Sequence, residues 1–188
     1  MDDQTIPVFC YGSNGTKQLQ ERVCNSTLVS YSAYVEGYRR IFAGYSTKWE
    51  GGVASIVNTN QSDDVCRGSV VFLSEQELKL LDHFEGISAS GDPFSIDPSV
   101  NVYRRSWVSL LSTDSLLLSL RGQSSSTTIR AIAYIRNDDE WGSYPREAYL
   151  TACHRNISPF WPDLDGNQSL RVMDRFGKLR GEFRVTID

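Results

Sequence analysis

IPVFCYGSNGTKQLQERV, residues 6–23, joins three kinds of local instruction within eighteen positions. Ile6 to Cys10 is a short apolar run suited to a buried strand. Tyr11-Gly12-Ser13-Asn14-Gly15 breaks it with turn-forming residues, and a polar helix-forming segment follows in which Leu19 and Val23 stand four apart, on one helical face. Strand, glycine turn and helix start are therefore expected in immediate succession. Two readings of the turn are open: plain turn chemistry, or a nest of backbone N–H groups at a helix start that holds an anion.

The 188 residues suit a single domain, 1–188, and 40% hydrophobic with 11% aromatic residues suffice for an ordinary core. A formal net charge of −4 and a pI near 5.2 argue against nucleic acid or an anionic membrane as the main partner, because such binding neutralises phosphates with Lys and Arg. Cys10, Cys24, Cys66 and Cys153 form no C-x-x-C pair, and His83 and His154 are the only histidines, so no structural metal site is expected. The acidic start and the lack of a membrane-length apolar run lead to the expectation of a cytoplasmic protein with reduced thiols. The N-x-S/T matches at Asn14, Asn25, Asn60, Asn156 and Asn167 are accordingly read as composition.

Beyond residue 23, LVSYSAYVEGYRRIFAGYS, GGVASIVNTN and VCRGSVVFL read as strands, rich in β-branched and aromatic residues and punctuated by glycine. Ser74 with Glu77 has capping-box form and opens the helix EQELKLLDHFE, which should stop at Gly86. Residues 87–100 are a long loop, expected to cover a site. Further strands are expected over Val102–Ser112 and Thr127–Arg136, with another at Leu116–Leu120, and Pro145 is expected at a first helical position. The tail carries Arg171, Arg175, Lys178, Arg180 and Arg184; an edge hairpin with protective charges and a cationic aid to an anionic substrate are the two readings.

Glu85 stands out on physical grounds. Leu78, Leu81 and Glu85 follow i, i+3, i+7 spacing, which places a carboxylate on the face of two core leucines. Burial and the negative end of the helix would both raise its pKa, as a general base near neutrality requires. The competing reading is a helix-end glutamate turned to solvent. Asp82 reads as a local backbone cap and His83 as a surface or packing residue.

Taken together, YGSN at 11–14, WEGGVASI at 49–56, VCRGSVVFL at 65–73, LDHFEG at 81–86, YRR at 103–105 and PREAYL at 145–150 resemble, in order, the motifs of the γ-glutamylcyclotransferase (AIG2-like) family. The resemblance covers about residues 6–156 and leaves 157–188 as an extension of unknown role. It implies an α+β fold, a small mixed β-barrel with flanking helices and a cavity. It further implies Glu85 as general acid/base, the backbone of Tyr11, Gly12, Ser13 and Asn14 as the cradle of a γ-glutamyl group, and Tyr103 and Tyr149 as substrate contacts.

The implied chemistry converts a γ-glutamyl amino acid or amine to 5-oxoproline with neither metal nor organic cofactor. A small-molecule γ-glutamyl substrate is the expected partner, and a homodimer is a further candidate association. A non-catalytic metabolite-binding module and an enzyme acting on another amide are the alternatives. Gly15 departs from the large apolar residue common in the family and is expected to reshape the pocket floor.

Overall fold

The computed structural model describes residues 5–162 and 170–183. The opening stretch folds as its pattern dictates: β1 (Ile6–Cys10), a turn through Gly15, then α1 (Thr16–Arg22) with Leu19 and Val23 both buried. β2 (Tyr31–Glu36), β3 (Tyr38–Ser46), β4 (Gly51–Asn58) and β5 (Val65–Leu73) follow, and α2 (Glu75–Phe84) begins at a complete capping box between Ser74 and Glu77. β6 (Tyr103–Ser112), α3 (Ser115–Leu120), β7 (Thr127–Arg136) and α4 (Glu147–Ile157) complete the core, and a hairpin of β8 (Leu170–Met173) and β9 (Leu179–Phe183) comes last.

Five strands close a barrel in the order β1-β5-β2-β6-β7. It is mixed because β1 runs parallel to β7, with Val8 opposite Ile132 and Phe9 opposite Ala133, while the other described neighbours are antiparallel. β3 and β4 form a separate ribbon. Side chains alternate along β1 as a strand requires: Phe9 enters one apolar cluster with β4, β7 and α4, whereas Val8 and Cys10 enter a second with Leu19, Leu78 and Leu81 of α1 and α2. The partly buried Tyr103 packs against both clusters, and the strand ends that carry the site lie between them.

Three expectations are corrected. Leu116–Leu120 is helix, not strand: the Asp114 carboxylate accepts from the Leu116 and Leu117 N–H groups, and leucines, unbranched at Cβ, follow the cap readily. Pro145 stands outside α4, because helical bonding starts from the Arg146 carbonyl, which accepts from Tyr149 and Leu150. Asp82 accepts from no local backbone N–H among the described residues; its carboxylate pairs with Arg105 and accepts from the Tyr134 hydroxyl at 2.7 Å, tying α2 to β6 and β7.

The C-terminal hairpin packs onto the core, with Val172 in the first cluster and β8 beside β3. Arg175 pairs with Asp139 and Glu140, and Arg180 with Asp174, so these cations are spent on ion pairs away from Glu85 and the residue 11–14 turn. Arg184 and Asn167 lie outside the described residues. Among the described residues no helix is long and apolar enough to cross a membrane.

Candidate active site

A cavity of about 340 Å³ opens where β1 and β7 end. Tyr11 to Asn14, Glu85, Tyr103 and Tyr149 all line it, so the structure brings together every residue expected at the site. Glu85 is the residue just after α2, 9% exposed, and Leu78 and Leu81 on its face are fully buried. It faces inward because the helix ends sharply beneath it. Gly86 takes φ +68°, and the Gly86 and Ile87 N–H groups return to the His83 and Asp82 carbonyls at 3.3 and 3.0 Å, a Schellman turn sealed by buried Ile87.

Two donors meet Glu85 from the opening stretch. Asn14 Nδ2 and Arg22 Nη1 each lie 3.0 Å from Oε1, and Arg22 also donates to Asn14 Oδ1 at 2.7 Å. Both described bonds fall on Oε1. Burial pushes the Glu85 pKa above the ordinary carboxylate value; the Asn14 bond and the Arg22 cation pull it down without cancelling that rise, and nearby Asp82 adds to it. The result is a carboxylate held in place by donors and still easier to protonate than one in water.

The loop is oriented by groups distant in sequence. Arg40 Nε on β3 donates to the Tyr11 carbonyl at 2.8 Å, and Asn156 Nδ2 on α4 donates to the Gly12 carbonyl at 2.7 Å. A trans peptide points the next N–H opposite its carbonyl, so anchoring these two oxygens turns the Gly12 and Ser13 N–H groups the other way. Among the described residues no acceptor takes the N–H of Gly12, Ser13 or Asn14. That is the donor pattern of an anion cradle.

The tyrosines build the walls. The Tyr149 hydroxyl accepts from the Ala54 N–H at 2.8 Å, Tyr103 donates to the Ala54 carbonyl at 3.4 Å, and Tyr11 donates to the Tyr134 carbonyl. Trp49 of the WEGG stretch lies 5.1 Å from the Tyr149 ring, centroid to centroid. Burial holds the hydroxyls of Tyr11, Tyr103 and Tyr149 protonated, and the charge of Glu85 adds to that effect at Tyr11 and Tyr103. The Cys10 thiol, also lining the cavity, is pushed up to about 12 by burial and by Glu85, which disqualifies it as a nucleophile near neutrality.

Residues 8–151 match the family described as gamma-glutamyl cyclotransferase, AIG2-like. The chain belongs to this family. Solved structures with the same fold include a gamma-glutamyl cyclotransferase (TM-score 0.59, 19% identity, 81% of this chain and 78% of that one). A human protein titled uncharacterized protein loc79017 gives a TM-score of 0.55 at 19% identity, covering 80% and 76%. A yeast gamma glutamyl cyclotransferase specific to glutathione gives 0.55 at 14% identity, covering 81% and 86%. No curated protein sequence matches the chain.

Other members of the site were not singled out from the sequence. Arg22 carries a local signal, because it follows buried Leu19 by three positions and so turns toward the same side of α1. Arg40, Asn156 and Arg136 carry none, since their roles depend on contacts between distant strands and helices. Two sequence expectations fall away from the cavity. None of residues 87–100 lines it; Asn101 and Asn137 bind that loop, and its Pro93 carbonyl accepts from the Arg105 N–H at 2.7 Å on β6. Gly15 does not shape the pocket floor: it is the N-cap of α1, and its Cα faces Asn156.

Proposed function

We propose that the protein is a γ-glutamylcyclotransferase that converts a γ-glutamyl amino acid or amine to 5-oxoproline and the free amino acid or amine. The observation that carries this reading is Glu85, a buried carboxylate of raised pKa, set 3.0 Å from Asn14 of the YGSN loop inside the cavity. The backbone at Gly12–Asn14 receives the γ-glutamyl group, and its N–H groups are placed for the charge that develops on the γ-carbonyl oxygen.

Glu85 takes a proton from the donor's α-ammonium, and Oε2 is the oxygen that receives it, since the described donors occupy Oε1. The freed amine attacks its own γ-carbonyl carbon, forming the ring C–N bond. Protonated Glu85 delivers its proton to the amide nitrogen, and the old C–N bond breaks with its electron pair leaving on that nitrogen. The ring nitrogen gives up a second proton as the departing amine becomes an ammonium, so both protons lost by the α-nitrogen end on the leaving group. Nucleophile and electrophile share one molecule, so the protein's contribution is the bent conformer, charge stabilisation and one tuned base.

The test is incubation with γ-glutamyl dipeptides, γ-glutamyl-lysine and glutathione while 5-oxoproline is measured, with Glu85→Gln as control. Product from at least one donor, lost in Glu85→Gln, is expected. No product from any donor removes the cyclotransferase reading and leaves the binding module; equal activity in the variant removes Glu85 from the role.

A further inference from the structure

One charged residue on the cavity wall is left without adequate partners. Arg136, the last residue of β7, has a side chain only 8% exposed, and its Nε has no acceptor among the described residues. Its Nη2 donates to the Tyr45 carbonyl at 3.3 Å, and the side chain also interacts with the Tyr103 hydroxyl. Its nearest described carboxylate is Asp138 at 3.8 Å, half exposed to water. A guanidinium carries five N–H donors, and burying one so poorly satisfied is costly.

The fold nevertheless makes room for it. Gly44 takes φ +55°, and a Cβ there would overlap the Arg136 guanidinium, so the guanidinium holds this position only beside a glycine. The guanidinium also lies over the Tyr103 ring, 5.6 Å from its centroid. Two contacts thus hold the cation in place without neutralising it. Beside it, residues 45–49 line the rim of the cavity, with Tyr45, Thr47 and Lys48 exposed; the Lys48 ammonium stands 5.6 Å from the centroid of the Trp49 ring.

We infer that Arg136 is a specificity residue whose guanidinium receives a carboxylate on the leaving group, so that the donors are γ-glutamyl amino acids or peptides rather than γ-glutamylamines. The inference rests on the cyclotransferase reading above. With the γ-glutamyl group at the Gly12–Asn14 backbone, the leaving side faces the rim by which product must depart, and Arg136 is bonded to that rim at Tyr45. A planar fork buried beside water-accessible cavity suits bidentate recognition of a carboxylate. Ligand binding then supplies the missing acceptor.

The test compares γ-glutamyl-alanine with γ-glutamyl-ethylamide, which share the donor half and differ in the leaving carboxylate. Wild type should prefer the former in kcat/KM, mainly through KM. Arg136→Met should lower kcat/KM for γ-glutamyl-alanine by about 100-fold and leave the ethylamide near wild type. Arg136→Lys, which keeps the charge and serves if the Met variant fails to fold, should also lose discrimination.

Equal losses for both donors would place Arg136 on the shared donor half or in a purely structural role and overturn the inference, as would a wild type that does not discriminate. A binding arm separates the two readings: Glu85→Gln protein is titrated with both compounds by calorimetry. Tighter binding of γ-glutamyl-alanine without wild-type turnover of any donor rejects cyclisation while supporting the carboxylate site. Turnover without discrimination does the reverse.

Discussion

Arg22 Nη1 lies 3.0 Å from Glu85 Oε1, joining the end of α1 to the end of α2 across the cavity wall. Its guanidinium also lies 5.1 Å from the centroid of the Phe84 ring. The cation favours ionised Glu85 against the larger effect of burial. Arg22 is thus a positioning residue that moderates the pKa of Glu85, the proposed base. Replacing it with Met removes a lowering influence, so the Glu85 pKa should rise further, and the acid limb of the kcat/KM profile should move to higher pH by about one unit. A pH–rate profile checks this; an unmoved limb would show that the pair does not tune the base.

Glu85 itself should weaken the fold as pH rises. Its folded pKa lies above its unfolded one, so the native state binds the proton more tightly. Stability is highest below the unfolded pKa and is lost as pH climbs through the folded value. Glu85→Gln, which keeps the shape and an oxygen acceptor but does not ionise, should escape that loss. The stability of the variant minus that of wild type, from urea melts, should grow by about 1 kcal/mol or more from acidic toward neutral pH. A constant difference would mean that the carboxylate is not strained by burial.

Gly86 sets the inward turn of Glu85, and a side chain there is strained. Its φ is +68°, and a Cβ would stand 3.0 Å from Val102. Gly86→Ala should cost about 1–2 kcal/mol in stability from backbone strain alone. Turnover should fall in the protein that remains folded, since the Schellman turn orients the carboxylate. Full activity at wild-type Tm would separate the turn from the site.

How much of this was legible in the sequence depends on the range of each interaction. The capping box at Ser74, the stop at Gly86 and the inward Glu85 are contained within thirteen positions, and all three stand in the structure. The strand at Leu116–Leu120 failed because five positions, four of them Leu, have no decisive period, and the capping Asp114 outweighed their apolar content. That the YGSN turn keeps its N–H groups free of acceptors among the described residues is not legible locally, because Arg40 and Asn156, which anchor its carbonyls, are 29 and 144 positions away from the residues they hold. The motif resemblance placed the turn at the site; the physical reason lies in those two distant contacts.

Gly15 offers a gain. A Cβ there would meet Asn156 at 3.6 Å, ordinary contact, and the backbone φ of −77° suits any residue. α1 has no side-chain cap, and the nearby Asn156 Oδ1 is buried without a donor among the described residues. Gly15→Ser supplies a hydroxyl to one need or the other and restricts the unfolded chain, so stability should rise by about 0.5–1 kcal/mol. Because Gly15 does not line the cavity, KM should stay as in wild type. Lower stability would show that the approach of α4 to the turn has no room for a side chain.

The 87–100 loop was expected to cover the site, and its anchoring gives a way to test whether it touches catalysis at all. Fully buried Asn101 accepts from the Ser88 N–H at 2.9 Å and donates to the Asp92 carbonyl at 2.8 Å, bridging the two ends of the loop's first turn. Asn101→Ala strips both partners and should destabilise the fold by about 2 kcal/mol, the cost of groups left unsatisfied. The loop packs against β6 and β7 instead of lining the cavity, so KM values across the donor panel should hold their wild-type ratios. A change in those ratios would restore the loop to a part in choosing the leaving group; a fall in Tm with the ratios intact would fix it as a structural brace of the barrel.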